Sequence, residues 1–324
     1  LEVAQRSEKL ARAMNDRGAA RLSEWLLGMA HYYLGNQSLA LRYCGSALSN
    51  SDTSHQLEMA RVGVSHRLRA LSAFARSLWL NGRPDEAARA AKIGIEAAER
   101  LAHPATLSVT LIWSVPVYIW IGDLEAATEI TTRLSKIVDE HSLLSFRAVA
   151  LGIEGELLLK RGHAIEAVRK LQDCLKAVGW GLPRLVASTF GHKLAEALLG
   201  ADQSSEALLT IESAIKQARD TGELVNLPEM MRVKANILRS MSRSAEAEDH
   251  LLSSMELARK QAALSWELRA AIDLAQQWEE QGRVAKGMKL LDRVYRCFTE
   301  GLGTQDLIRA REVLNRLAGE TGPD

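Results

Sequence analysis

The chain has 324 residues, 47% of them apolar and 25% charged, and a net charge of +1. That balance is ordinary for soluble proteins, and so small a net charge removes the bulk electrostatic case for nucleic acid. Ala, Leu, Glu and Arg dominate while strand-like runs of Val, Ile, Thr and Tyr are nearly absent, which favours helix.

In chain order, residues 1–18 read as the second helix of a truncated unit, and the mid-pattern start at Leu1 reads as a piece of something longer. A turn then recurs. "GNQSLA" ends at Ala40, "NGRPDEAARAA" carries its anchor at Ala87, "GDLEA" is one residue shorter and ends at Ala126, and "GHAIEA" ends at Ala167. Degenerate copies end at Ala207, Ala247 and Gly287, so successive anchors lie 47, 39, 41, 40, 40 and 40 residues apart. Twelve residues before the anchor the side chain is small, as at Gly28, Ala75, Gly155 and Ala195; nine before it is mostly large, as at Leu78, Leu198 and Trp278. Four after it come Cys44, Ala91, Ile130, Leu171 and their equivalents. Small residues let two helices approach, and large ones fill the groove between them.

Each unit is therefore helix, tight turn, helix. The order of residue types resembles the tetratricopeptide repeat, with a period nearer 40 than the usual 34. The units are 19–50, 65–101, 105–141, 143–178, 183–221, 226–262 and 264–300, followed by a capping helix at 304–317, all in one domain, 1–324. Pro104, Pro183 and Pro228 fall between units, where proline opens a helix. Pro116 falls mid-helix and should kink it, and "SNSDTSHQLEMA" predicts a longer loop or an extra turn. The expected fold is all-α: a right-handed solenoid whose first helices line a concave binding face.

No catalytic signature survives inspection: no phosphate loop, GxGxxG, HExxH or GxSxG. His163 and Glu166 share a turn and read as a solvated pair rather than a metal site. Cys44, Cys174 and Cys297 have no CxxC spacing, which fits a reducing cytoplasm, and all three read as packing residues. The longest apolar stretch, Leu111–Ile121, is too short to span a bilayer.

The concave positions are the candidate site. Trp25, Met29, Tyr32, Arg69, Arg76 and Trp79 read as an aromatic cluster with arginines in the first third of the groove. It is either a pocket for an apolar, aromatic or peptide ligand, or packing between repeats. Further on come Glu156, His192, Glu196, Arg232, Asn236, Arg239 and Arg269, read as a solvated charged face whose arginines favour acidic partners. Arg232 with Asn236 matches half of a clamp for a peptide's terminal carboxylate, although Asp273 stands where an amide is expected.

"ALSWELRAAIDLAQQWEEQGR" (Ala263–Arg283) and "VYRCFTEGLGTQDLIRAREVL" (Val294–Leu314) resemble the end of the tetratricopeptide region of large bacterial signalling ATPases. "GMAHYYLGNQSLALRYC" and "LWLNGRPDEAARAA" are similar to its earlier units. In that family the repeats follow an ATPase module, itself preceded by a winged-helix or a nucleotide cyclase domain, and the repeats here look closest to the winged-helix regulators. The resemblance implies a cytoplasmic, non-catalytic sensor of a transcriptional regulator, acting on modules absent from this chain. The missing motifs, the short apolar stretch and the small net charge add the expectation of no cofactor or metal, no membrane and no direct nucleic-acid contact. The sensor's partner would be a protein or peptide, or a small-molecule effector, with a homo-oligomer open to it. A free-standing receptor and a protein–protein scaffold are the alternatives.

Overall fold

The structure is a computed structural model and describes residues 1–49, 65–178 and 184–320. Among these are sixteen α-helices and no strand. They are α1 (Glu2–Ala13), α2 (Arg17–Tyr33), α3 (Gln37–Ser49), α4 (His66–Leu80), α5 (Pro84–Arg100), α6 (Pro104–Ile121), α7 (Leu124–Glu140) and α8 (Leu144–Lys160). There follow α9 (Ala164–Val178), α10 (Arg184–Gly200), α11 (Ser204–Thr221), α12 (Leu227–Ser240), α13 (Ser244–Lys260), α14 (Leu264–Glu280), α15 (Val284–Tyr295) and α16 (Gln305–Glu320). The expected loop in "SNSDTSHQLEMA" and the helix-opening Pro183 lie outside the described residues.

Successive helices stack as antiparallel pairs into a tetratricopeptide-type solenoid. The recurrent turn works through one left-handed residue. Gly35, Gly82, Gly122, Gly162 and Gly282 have φ of 78, 82, 90, 83 and 72°, a region glycine occupies at little steric cost. Asp202 and Ser242 hold the same place at φ 61 and 62°, so the degenerate copies keep the geometry at some backbone strain. Five residues on, the anchor alanine is packed under its partner helix. In the third copy that residue is Ala127, fully buried, and Ala126 is only half-buried. The expectation of a shortened third turn is thereby corrected: the Gly122-to-Ala127 step matches the others, and buried Thr131, not Ile130, is the residue four further on. Asp123 follows Gly122 as N-cap, accepting from Ala126 N at 3.0 Å.

The small positions show why they are small. A Cβ on Gly28 would sit 2.4 Å from Cys44 Sγ, and one on Gly155 would sit 2.7 Å from Leu171 Cγ. Cys44 and Cys174 are buried packing residues, and burial pushes both thiols up to about 12. Cys297 is instead exposed, its thiol turned back to Arg293 O at 3.4 Å, so its reading as packing is corrected.

The solenoid closes on itself. The turn between α4 and α5 meets the segment after α15: Gly301 N donates to Asp85 Oδ2 at 3.0 Å, and Glu86 N donates to Glu300 Oε1 at 3.0 Å. Ser265 Oγ donates to Trp79 O. One unit earlier, Leu224 N and Val225 N both donate to Tyr33 O, at 2.7 and 3.1 Å, and Gln37 N donates to Gln261 O at 3.2 Å. These contacts join residues 186 or more positions apart and turn the concave face into an interior. The charged face expected to be solvated is correspondingly buried, with Glu156, His192, Arg232 and Arg269 inside.

Helix α6 is, by length and composition, the single candidate among the described residues for crossing a membrane. It is longer than the apolar stretch read from the sequence because it begins at Pro104. Most of it is buried between neighbouring helices, which accounts for its apolar character within the solenoid.

Candidate functional site

Pro116 organises the interior. It lies inside α6, which continues through it without a break. Proline has no N–H, so the carbonyl four residues earlier, Ile112 O, loses its helical donor. Arg76 on α4 supplies the replacement: Nη2 donates to Ile112 O at 3.0 Å and Nε to Trp113 O at 2.8 Å. Its guanidinium lies 4.2 Å from the Trp113 ring centre and 5.8 Å from that of Trp120.

Beside this contact is a cavity of about 140 Å³, walled by both ends of the superhelix. Tyr32, Tyr33 and Arg76 come from the first units, and Glu223, Val225 and Trp266 from the late ones. The middle helices close its sides with Ile153, Glu156, Phe190, His192 and Lys193. Burial first, and Lys193 second, lower the His192 imidazole to about 4, so it is neutral near pH 7. Burial pushes the Glu223 carboxyl up to about 7, against the hydrogen bonds from Ser188 and Thr189 that hold it down.

The expected aromatic cluster is split three ways. Tyr32 and Arg76 line the cavity, with Trp113 5.6 Å from Tyr32. Trp79 is buried behind it, 4.6 Å from Trp120 and 4.8 Å from Trp266, with Arg269 5.0 Å over its ring. Trp25 and Met29 belong to a separate core with Ala47 and Ala70, and Arg69 lies 5.3 Å over Trp25. A single aromatic pocket spanning Trp25 and Trp79 is thus corrected: a closed superhelix puts Trp79 in the seam, while Trp25 stays in the first unit.

The charged positions form one ladder. Each inner helix from α8 to α16 contributes one acid and one base three or four residues apart: Glu156/Lys160, Lys193/Glu196, Glu229/Arg232, Arg269/Asp273 and Asp306/Arg309. The pairs interlock across helices. Lys193 lies 3.0 Å from Glu156 and 3.7 Å from Glu196. Arg232 grips Glu229 at 2.8 and 2.9 Å and Asp273 at 2.6 Å. Arg269 reaches Glu229 at 3.2 Å and Asp306 at 2.7 Å. Burial opposes ionisation of Glu229, yet Arg232 and Arg269 outweigh it and hold the carboxyl well below the usual range. Asp273 is held low in the same way, burial being outweighed by Arg232 and Arg309. Five bases meet five acids, so the ladder is neutral.

Two corrections follow. The arginines are not offered to an acidic partner, because Arg232 and Arg269 are consumed internally. The half-clamp is also filled: Arg232, Asn236 and Arg309 donate to the Asp273 carboxylate at 2.6, 2.8 and 2.9 Å. Asp273 stands where a peptide's terminal carboxylate would. Asn236 and Arg239 also line a second, more open cavity of about 310 Å³, where Arg239 donates to Glu280 at 3.2 Å. Glu196 lies between Lys160 and Lys193.

Sequence reasoning missed Tyr33, Trp113, Trp120, Lys193, Glu223 and Trp266. A signal existed for some of them. Arg76–Trp113, Glu156–Lys193 and Glu229–Arg269 are separated by 37, 37 and 40 residues, near one repeat, so complementary residues one period apart mark inner-face neighbours.

No family model and no curated protein matches the sequence. Solved structures do. A Rap protein complexed with competence and sporulation factor superposes with a TM-score of 0.63 at 12% identity, over 98% of this chain and 93% of that one. The apo form of RapI gives 0.54 at 11%, over 90% and 98%. A signal transduction ATPase with numerous domains, carrying a tetratricopeptide-repeat sensor, from Pyrococcus horikoshii gives 0.50 at 12%, over 88% of this chain and 46% of that one. At such identities the likeness is one of fold, and it places the chain among tetratricopeptide-like helical solenoids.

Proposed function

We propose that this chain is a ligand-binding sensor domain that reports occupancy of its interior cavity by closing or opening its superhelix. The observation that carries this reading is the cavity's position: its walls come from both ends of the solenoid, and Tyr33 and Val225 both line it and bond across the seam. A ligand touching both walls favours the closed form by its differential affinity for the two states. The signal would pass to an ATPase and DNA-binding module outside this chain, as in bacterial transcriptional regulators. The fold shared with a tetratricopeptide sensor of a signalling ATPase supports that context. The cavity suits a small molecule; an extended peptide would need the seam to part.

A free-standing receptor is the second reading. It is favoured by the near-complete coverage of a Rap protein solved with competence and sporulation factor.

Native mass spectrometry and small-angle scattering of the purified chain test the proposal. A small-molecule adduct, absent from a cavity-filling Ile153→Trp variant and accompanied by a more compact envelope, is expected. Identical dimensions with and without a small-molecule metabolite fraction, and no adduct, would overturn it. A peptide adduct with an expanded envelope would favour the second reading.

A further inference from the structure

The cavity has a charge character that narrows its ligand. Arg76 meets backbone carbonyls and the Trp113 face, and has no carboxylate within ion-pair distance among the described residues. Lys193 is 3% exposed and lines the same space; Glu156 Oε1 lies at 3.0 Å, yet Nζ has no hydrogen-bond acceptor in good geometry. Glu156 neutralises one of these two cations, and the wall's other acid, Glu223, is raised to about 7, so the wall carries an excess positive charge while Glu223 holds its proton. The lining indoles already carry cations: Arg76 lies over Trp113 and Trp120, and Arg269 over Trp266. Tyr32, Tyr33 and Phe190 also line the cavity, so an amine probe tests whether their rings draw a cation instead. Ile112, Val149, Ile153 and Phe190 supply an apolar part of the wall, beside the polar Thr189 and Asn226. A volume near 140 Å³ is of the size that takes about one benzene ring.

Resting on the sensor reading above, we propose that the effector is a small monocarboxylate with one aromatic or branched apolar body, its carboxylate toward Arg76 and Lys193. The apolar body fills the space among Ile153, Phe190 and Trp266. A bound carboxylate supplies the acceptor that Lys193 Nζ lacks and the counter-charge that Arg76 lacks, and charge-assisted hydrogen bonds are the stronger kind.

Three probes of one shape and different charge test this with the intact chain: phenylacetate, 2-phenylethanol and 2-phenylethylamine, titrated by calorimetry and by tryptophan emission. Phenylacetate should bind at least about tenfold more tightly than the alcohol, and the amine should not bind. Ile153→Trp should abolish binding of all three. Arg76→Gln should lose the preference for phenylacetate while keeping the alcohol. Should Arg76→Gln fail to fold, because it also serves Ile112 and Trp113, the probe series in the unaltered chain decides alone. Equal or tighter binding of the amine or alcohol, abolished by Ile153→Trp, overturns the charge assignment and leaves the sensor cavity standing. No binding by any probe overturns the ligand class, and the adduct and scattering experiment then judges the sensor reading separately.

Discussion

At Glu223 the protein keeps a carboxyl where burial favours its neutral form, raising it from 4.5 to about 7. The folded state then holds a proton that the unfolded state has released between those values. The associated stability is present below pH 4.5 and is lost as pH rises toward 7. Glu223→Gln, which mimics the protonated group, should leave the denaturation midpoint unchanged at pH 4.5 and raise it at pH 8, by up to about 3 kcal/mol in free energy. Urea titrations at the two pH values check this, and a destabilised variant at pH 8 would show that the ionised form is the one the fold needs. Glu229 behaves oppositely. It is fully buried against two arginines, so Glu229→Gln strands cationic charge in the interior and should cost about 3–5 kcal/mol near neutral pH, read from the same titration. These two buried carboxylates look alike in the sequence. Their roles differ because one faces arginines and the other faces hydroxyls.

Helix pairs are held by contact at the small positions. Gly28 on α2 faces the α3 backbone as well as a thiol, since its Cβ would lie 3.1 Å from Cys44 N. Gly28→Ala should therefore destabilise by about 1–3 kcal/mol. Cys44→Ala removes the nearer of the two clashes, so the double variant should recover part of the loss, measured as a coupling energy in a double-mutant cycle. The small-and-large pattern, the left-handed turn residue and the anchor were legible in the sequence because each reflects contact between neighbours a fixed number of residues apart. The third anchor was misplaced by one because two alanines stand side by side, Ala126 and Ala127; the five-residue step from Gly122 and the burial of Ala127 pick out the right one. Pro116 was legible as a helix breaker, but its remedy was not. The donor that replaces the missing N–H comes from Arg76, 40 positions away, and nothing local announces it.

For the whole molecule the decisive contacts are those that close the ring. Gly301 has φ +69° and its Cβ would fall 2.0 Å from Pro84 Cγ, the three atoms nearest to it all belonging to Pro84 across the seam. Gly301→Val should accordingly part the seam while leaving helix content intact. The expected result is a larger radius of gyration by small-angle scattering with unchanged far-ultraviolet dichroism. An unaltered envelope would mean that Trp79, Trp266 and the Tyr33 bonds suffice to hold the ring. The acid limb of stability should also be collective. Glu196, Glu229 and Asp273 are held low by their bases, so their contribution is present above the ordinary carboxylate range and is lost as pH falls below it toward their lowered values. Glu223 acts in the other sense between about pH 4.5 and 7, but His192, lowered to about 4, gains stability as pH rises to 6.5 and offsets it, so stability should level off above the carboxylate range rather than peak within it.

The sequence by itself determined the repeating helix-turn-helix, its period near 40 and the identity of the inner face, because those depend on contacts between adjacent units that recur at a fixed spacing. It even carried the acid–base pairs of the ladder, each three or four residues apart on its own helix. Only the tertiary structure decided that the inner face is an interior rather than a solvated groove. The curvature of a solenoid accumulates from a small rotation at each repeat, so whether its ends meet depends on the sum of seven packing geometries and on no single motif. The seam joins Trp79 to Ser265 and Asp85 to Gly301, 186 and 216 positions apart, where no periodicity helps. That closure moved Trp79 from a ligand-facing position into the core and left a small cavity beside Arg76 in place of an open groove.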